Sequence, residues 1–274
     1  MKDNIIITTP DKRVISFSGS ERFPVIAGPC LVESKELLEE VATELVRIQK
    51  MLPVDFIFKS SYRKANRTSG KSISSIGDEK ALSFLSEIKK EFSLPILSDI
   101  HLPDEACLAA EVCDVLQIPA FLSRQTDLLE AAAETGKVIN IKKAQFMSPV
   151  DMKFAKEKVV SKGNKNILLT ERGTSFGYGD LVVDFRSIEI MKGFGSPVIY
   201  DATHSVQRPS QNGVSSGQRQ FIAPLARAAM AVGVDGLFIE THPDPAKAKS
   251  DAESQLPLKE LEPLLRSLLS FHHS

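Results

Sequence analysis

The chain is short of cysteine: three in 274 residues, at positions 30, 107 and 113. So sparse and odd a set excludes a disulfide framework and suits a reducing compartment. An excess of charge is missing too. The 34 Lys and Arg residues are matched by 35 Asp and Glu, a formal net charge of -1, and neither terminus carries a basic run. Nucleic acid and anionic membrane surfaces are therefore not expected partners. No apolar run is long enough to span a bilayer, and the opening MKDNIIITTPDKR is too briefly apolar for a secretory signal, so the expected location is cytoplasmic. No G-x-G-x-x-G follows the first strand-type run, which counts against a dinucleotide-binding fold, and no C-x-x-C marks a local metal motif. Anion or metal chemistry must then be assembled from residues far apart in sequence.

What is present is repetition. With 42% hydrophobic residues the chain can bury a sizeable core. A short hairpin is expected from Ile5–Thr8 and Val14–Phe17. Eight strand-type runs follow: FPVIAG (23–28), VDFIFKS (54–60), PILSDI (95–100), CDVLQIP (113–119), VINIKK (138–143), NILLTE (166–171), PVIYDA (197–202) and DGLFIE (235–240). Segments of 3.6-residue periodicity separate them, such as SKELLEEVATELVRIQK and QFIAPLARAAMAVG, and PLKELEPLLRSLLSF ends the series. Eight strand–helix units predict one (β/α)8 barrel domain, a TIM barrel over residues 1–274, rather than an open doubly wound sheet. The longest loops, 60–77, 203–217 and 241–256, all follow strands, where barrels keep their chemistry.

The predicted strands end in Cys30, Lys59, Asp99, Gln117, Lys142, Glu171-Arg172, Asp201 with His204 just beyond, and Glu240. Any one of these suits an ordinary strand end meeting solvent. Eight together on the catalytic face do not. Closure of the ring sets the last strand between the seventh and the first, so Cys30, His204 and Glu240 fall on one arc. Asp251 offers a fourth ligand, which would surround a divalent cation with a thiolate, an imidazole and two carboxylates. A nucleophilic Cys30 activated by His204 is the other reading. The opposite arc carries Lys59, Lys64, Arg67, Lys142 and Arg172 without a matching density of acids. Pairing with surface acids would explain one or two of these. Lys59 and Lys142 directly follow buried strands, where unpaired cations are expensive, so anionic, phosphorylated small molecules are the expected substrates. Cys107 and Cys113 read as small core hydrophobes, and the histidines of FHHS as an exposed end. His101 has no assignable role. His242, two residues past Glu240, would enter a metal shell only if Asp251 did not.

At KANRTS (64–69), QIPAFLSRQTDL (117–128) and DATHSVQ (201–207) the chain resembles the 3-deoxy-D-manno-octulosonate-8-phosphate synthase family. The likeness runs from about Phe23 to about Leu258, through AGPC, VINIKKAQF, ERGTSFGYGDLVVDFRS, AVGVDGLFIETHPDP and SDAESQLPL. It implies a homotetrameric (β/α)8 barrel that condenses phosphoenolpyruvate with D-arabinose 5-phosphate and water, toward the inner-core sugar of lipopolysaccharide. Metal-independent members have asparagine after AGP or its equivalent, and metal-dependent members cysteine, so Cys30 implies the metal class. Cys30, His204, Glu240 and Asp251 are then the ligands of zinc, iron(II), manganese or cobalt. The resemblance further implies that Lys142 and Arg172 bind the phosphoenolpyruvate phosphate, with Gln117 nearby. Lys59, Lys64, Asp99 and His204 form the catalytic set, Asp99 near the aldehyde. Asn66, Arg67 and Thr68 hold the sugar and its phosphate, Phe121 joins the substrate contacts, and Arg124 reaches in from a neighbouring subunit.

Two features depart from the family pattern: Arg63 stands where an acid is usual, and the segment after KANRTS lacks an expected arginine. The nearest alternative, 3-deoxy-arabino-heptulosonate-7-phosphate synthase with erythrose 4-phosphate, typically reads K-P-R-T-S-P at this point, whereas Asn66 offers an amide to a longer sugar. A silent scaffold barrel would need neither Arg172 nor His204.

Overall fold

The computed structural model of the chain describes residues 3–65, 74–176, 179–211 and 214–271. Eight parallel strands alternate with eight helices as the periodicity predicts: β1 (Phe23–Gly28), α1 (Lys35–Met51), β2 (Val54–Lys59), α2 (Asp78–Phe92), β3 (Ile96–Asp99), α3 (Glu105–Val112), β4 (Val115–Ile118), α4 (Thr126–Glu134), β5 (Val138–Lys142), α5 (Met152–Ser161), β6 (Ile167–Glu171), α6 (Arg186–Lys192), β7 (Val198–Asp201), α7 (Ile222–Val232), β8 (Gly236–His242) and α8 (Leu258–Leu268). Each strand pairs with its sequence neighbours. The ring closes where β8 lies parallel to β1 with Glu240 opposite Gly28, and to β7 with Phe238 opposite Asp201. This is a (β/α)8 barrel.

Helix α1 shows why these segments form. Ser34 accepts the Leu37 N–H at 3.2 Å as its N-cap, and Leu38, Val41, Ala42, Leu45 and Ile48 bury one face against the sheet. The same spacing corrects one expectation. In α3 the buried face is Glu105, Ala106 and Ala109, so Cys107 points off it and is exposed, whereas Cys113 is buried.

The barrel interior is built on the two-residue alternation of strands. One side chain from every strand, Ile26, Ile57, Leu97, Val115, Val138, Leu168, Ile199 and Phe238, joins a single buried apolar cluster. The hairpin of Ile6–Thr8 and Val14–Ser16 completes it with Ile5, Ile7, Ile15 and Phe17. The expected hairpin is therefore a plug for the end of the barrel where the strands begin.

Beyond the expected elements, antiparallel pairs Thr174–Phe176 with Asp180–Val182 and Gln207–Gln211 with Val214–Gly217 occupy the loops after β6 and β7. Leu256–Pro257 adds a short parallel strand beside Thr241 and His242 of β8. These pieces are short and lack a full apolar alternation, so their sequences read as loop.

Candidate active site

Two residues further along each strand, the same inward alternation changes from apolar to polar. It delivers Gly28, Lys59, Asp99, Gln117, Asn140, Thr170, Asp201 and Glu240 toward the ends of the strands, all of them buried. Gly28 is required there, because a Cβ would sit 2.1 Å from the Lys59 carbonyl oxygen. The polar layer is hydrogen-bonded across strands: Thr170 Oγ1 donates to Asn140 Oδ1 at 2.6 Å, Asn140 Nδ2 to Gln117 Oε1 at 2.9 Å, and Gln117 Nε2 to Asp99 Oδ1. Sequence reading missed Asn140 and Thr170. Each stands two residues before a selected cation, Lys142 or Arg172, so counting the alternation back would have found them.

The arc at β1 and β8 gathers the four proposed ligands. Oxygen and sulfur atoms of Cys30, Glu240 and Asp251 lie within 4.8 Å of one another. Cys30 Sγ is 3.3 Å from Asp251 Oδ2 and donates to Ser250 Oγ at 3.0 Å. His204 Nε2 faces Glu240 Oε1 at 3.6 Å and Asp251 Oδ2 at 3.8 Å. The other ring nitrogen, Nδ1, is 2.8 Å from Asp201 Oδ2, a contact that favours its proton and leaves the Nε2 lone pair toward the carboxylates. Gln255 ties the Asp251 loop to Cys30, accepting the Cys30 N–H at 3.2 Å and donating to Ser250 O at 2.8 Å.

These residues fit a divalent cation. The buried oxygen Glu240 Oε2 has no hydrogen-bond partner among the described residues; donor atoms of Cys30, Glu240 and Asp251 lie within 4.8 Å of one another, and His204 Nε2 stands 3.6 Å and 3.8 Å from the two carboxylates, spacings near those of ligands held ~2.0–2.3 Å from one ion. Burial, then the Glu240 charge, pushes the Cys30 thiol far up, so without a cation it keeps its proton. A nucleophilic Cys30 finds no support: its sulfur meets Ser250 and Asp251, and His204 turns its two nitrogens to carboxylates. His242 makes other contacts. Its Nδ1 accepts the Asp244 N–H at 3.0 Å and its Nε2 lies 3.9 Å from Glu33.

The cationic arc differs from expectation, because most of its charges are paired. Buried Lys59 contacts Glu240 and donates to Cys30 O at 3.1 Å. Lys142 binds Asp201 Oδ2 at 2.6 Å, and Lys64 lies 3.5 Å from Asp99 Oδ2. Their carboxylates come from other strands or loops, so pairing appears only on closure. Against the cost of burial, Lys64 and the other cations hold Asp99 well below the usual carboxylate range. Burial draws Lys142 and Arg172 down from their ordinary values. Arg172 stands apart: it is 4% exposed, Nη2 donates to Gln207 Oε1 at 3.0 Å, and Nη1 has no partner among the described residues.

The unusual Arg63 pairs with Asp78 Oδ2 at 3.2 Å and with Glu105, which also accepts from Tyr62 OH at 2.6 Å and from the His101 N–H at 2.8 Å. Asn66, Arg67 and Thr68 lie outside the described residues. Phe121 and Arg124 are exposed on the segment between β4 and α4, and neither joins the buried set.

Comparison with known proteins places this geometry. The DAHP synthetase I family model matches residues 5–271. The 2-dehydro-3-deoxyphosphooctonate aldolase of Brucella anthropi is 53% identical over 258 residues, 94% of this chain and 93% of its own. Those of Agrobacterium fabrum, 52% over 271 residues (98% and 96%), and Rhizobium meliloti, 52% over 258 residues (94% and 92%), are similar to the same extent.

Proposed function

The chain belongs to the DAHP synthetase I family, and within it we propose that this protein condenses phosphoenolpyruvate with D-arabinose 5-phosphate and water. The products are 3-deoxy-D-manno-octulosonate 8-phosphate and phosphate, on the way to the inner-core sugar of lipopolysaccharide. The relatives above carry the octonate name, which sets aside the erythrose 4-phosphate alternative. Within the site, the observation that carries the reading is the buried Arg172 guanidinium, just past the strand next to that of Lys142, whose Nη1 has no partner among the described residues, a charge kept for an anionic group. The test is phosphate release from phosphoenolpyruvate with each aldose in competition. No release with the pentose phosphate, whatever divalent ion is supplied, would refute the assignment.

In this reaction the methylene carbon of phosphoenolpyruvate bonds to the aldehyde carbon of the sugar. Water adds at the carbon bearing phosphate, and that C–O bond breaks to release phosphate. Lys142 and Arg172 hold the phosphoenolpyruvate phosphate. Lys59 and Lys64 extend the positive surface beneath it, and Gln117 is held in place by Asn140 and Asp99. One cationic well for both substrates removes the repulsion between two phosphorylated reactants and supplies the proximity term. Asp99, ionised and tied to Lys64, Ser61 and Gln117, orients these groups at the aldehyde rather than collecting protons. Asn66, Arg67 and Thr68 take the sugar and its phosphate.

Cys30 supports a reading in the metal-dependent class, in which Cys30, His204, Glu240 and Asp251 would hold zinc, iron(II), manganese or cobalt. When bound, such an ion supplies a Lewis acid that orients and polarises the aldehyde or an attacking water. Support comes from the unpartnered Glu240 oxygen and the fixed His204 ring. The active form is a homotetramer in which Arg124, with Phe121 beside it, completes a neighbour's sugar-phosphate site. Exposed Phe121 (37%), Phe146 (64%), Phe154 (57%) and Phe176 (71%) support such an assembly. A cytoplasmic location is part of the same reading, supported by three free cysteines that suit a reducing compartment; no helix among the described residues is long and apolar enough to cross a membrane.

A further inference from the structure

Asp201 ends β7 fully buried, and a single oxygen of its carboxylate serves both arcs of the mouth. Oδ2 accepts from Lys142 Nζ at 2.6 Å and lies 2.8 Å from His204 Nδ1, which is also 3.1 Å from Oδ1. Oδ1 takes the backbone N–H of Thr203 at 3.1 Å and of His204 at 2.8 Å, so the carboxylate is held from both sides and cannot turn to favour one partner. The Lys142 ammonium is also 3.4 Å from His204 Nδ1 and 3.5 Å from the Phe238 ring centroid. Opposite, His204 Nε2 faces Glu240 and Asp251.

Sharing one carboxylate, with Lys142 on the oxygen nearer to His204, makes the two contacts competitive. Negative charge drawn toward the ammonium is less available to the imidazole N–H, and the donor strength of a metal-binding imidazole follows the hydrogen bond made by its other nitrogen. An anion seated on Lys142 would offset the ammonium charge and return Asp201 to His204. We infer that Asp201 is a positioning residue that couples the two arcs: an anion at Lys142 tightens the hold of the His204 group on a divalent cation, and the cation tightens anion binding by the same factor. The inference rests on the reading that puts the phosphoenolpyruvate phosphate at Lys142 and the cation at Cys30, His204, Glu240 and Asp251.

The test is titration of the metal-stripped protein with cobalt(II), followed by the thiolate-to-cobalt absorption that reports Cys30 ligation, with and without saturating phosphoenolpyruvate and with no sugar present. In the unaltered protein phosphoenolpyruvate should lower the cobalt Kd by about tenfold, and cobalt should lower the phosphoenolpyruvate Kd equally. Asp201→Asn keeps the size and an acceptor but not the charge. It should bind cobalt roughly 10- to 100-fold more weakly, with affinity indifferent to phosphoenolpyruvate. Lys142→Gln removes the competitor, so it should bind cobalt more tightly than the unaltered protein in the absence of phosphoenolpyruvate. That result stands whether or not Asp201→Asn folds. Equal cobalt affinity with and without phosphoenolpyruvate would overturn the coupling while leaving the site assignment intact. Full coupling in Asp201→Asn would show that it acts directly through space and would remove Asp201 from it. Absence of the thiolate band, or of any phosphoenolpyruvate binding, would overturn the site assignment and the coupling with it.

Discussion

The two ends of the barrel are lined by the same eight strands in the same inward alternation, yet they do opposite things. At the end where the strands begin, Ile26, Ile57, Leu97, Val115, Val138, Leu168, Ile199 and Phe238 meet the hairpin side chains in a dry apolar plug. Two residues on, Lys59, Asp99, Gln117, Asn140, Thr170, Asp201 and Glu240 are just as buried, but they hold charge and hydrogen bonds. Burial alone therefore does not separate core from site here. The plug gains free energy from removing apolar surface from water, while the mouth holds charged groups whose desolvation is offset only by partners, in place or still to arrive. A substitution in the plug should lower stability and spare turnover, and one in the mouth should do the reverse.

The sharpest break of that contrast is removal of the cation. Exhaustive chelation should abolish activity, and added divalent ion should restore it, with the far-UV circular dichroism spectrum unchanged throughout. Cys30→Ala should be inactive under all conditions, whereas Cys30→Asn should retain some chelator-resistant turnover. Undiminished activity in the stripped protein would remove the metal from the reading.

Arg172→Ala comes next. It deletes the donor proposed to hold the phosphoenolpyruvate phosphate, and a loss on the order of 10²–10³-fold in kcat/KM is expected. Because the guanidinium is buried with one nitrogen unpartnered, its removal should leave Tm unchanged or raised. A large fall in Tm would make Arg172 a structural residue.

Arg124→Ala should act on the sugar site alone, raising the apparent KM for arabinose 5-phosphate roughly 10- to 100-fold. Mixing its subunits with those of Arg172→Ala should recover activity in hetero-oligomers verified by mass spectrometry, since one protomer then supplies what its neighbour lacks. No recovery would place Arg124 outside its neighbour's site.

Smallest for turnover is the plug. Ile15→Ala should cost about 2–5 kcal/mol of stability, measured by denaturant unfolding, with kcat per folded molecule unchanged. A fall in kcat at full folding would show that the plug and the mouth are not independent.

Much of this organisation could be read from residues in order. The eight strand-type runs match β1 to β8 closely, because apolar alternation and Gly/Pro stops act within a few residues. The strand-end polar residues were visible for the same reason, and Cys30, His204, Glu240 and Asp251 could be grouped once closure was assumed. What escaped depended on contacts between strands. Asn140 and Thr170 look like ordinary strand residues until each is seen bonded to the next strand. Cys107 looked like core, because an apolar segment does not itself say which side of a short helix faces the sheet.

By itself, then, the sequence determined the number and order of the strands, which residues alternate inward, and the presence of a thiol, an imidazole, acids and cations where strands end. These follow from local sterics and from the two-residue repeat, which need no knowledge of neighbours. Only the tertiary structure decided how those charges are used: Lys59 is committed to Glu240, Lys142 shares Asp201 with His204, and Arg172 retains a nitrogen without a partner. The reason is electrostatic. The worth of a buried charge depends on what lies within a few ångströms of it, and in a closed barrel most of those neighbours come from elsewhere in the chain.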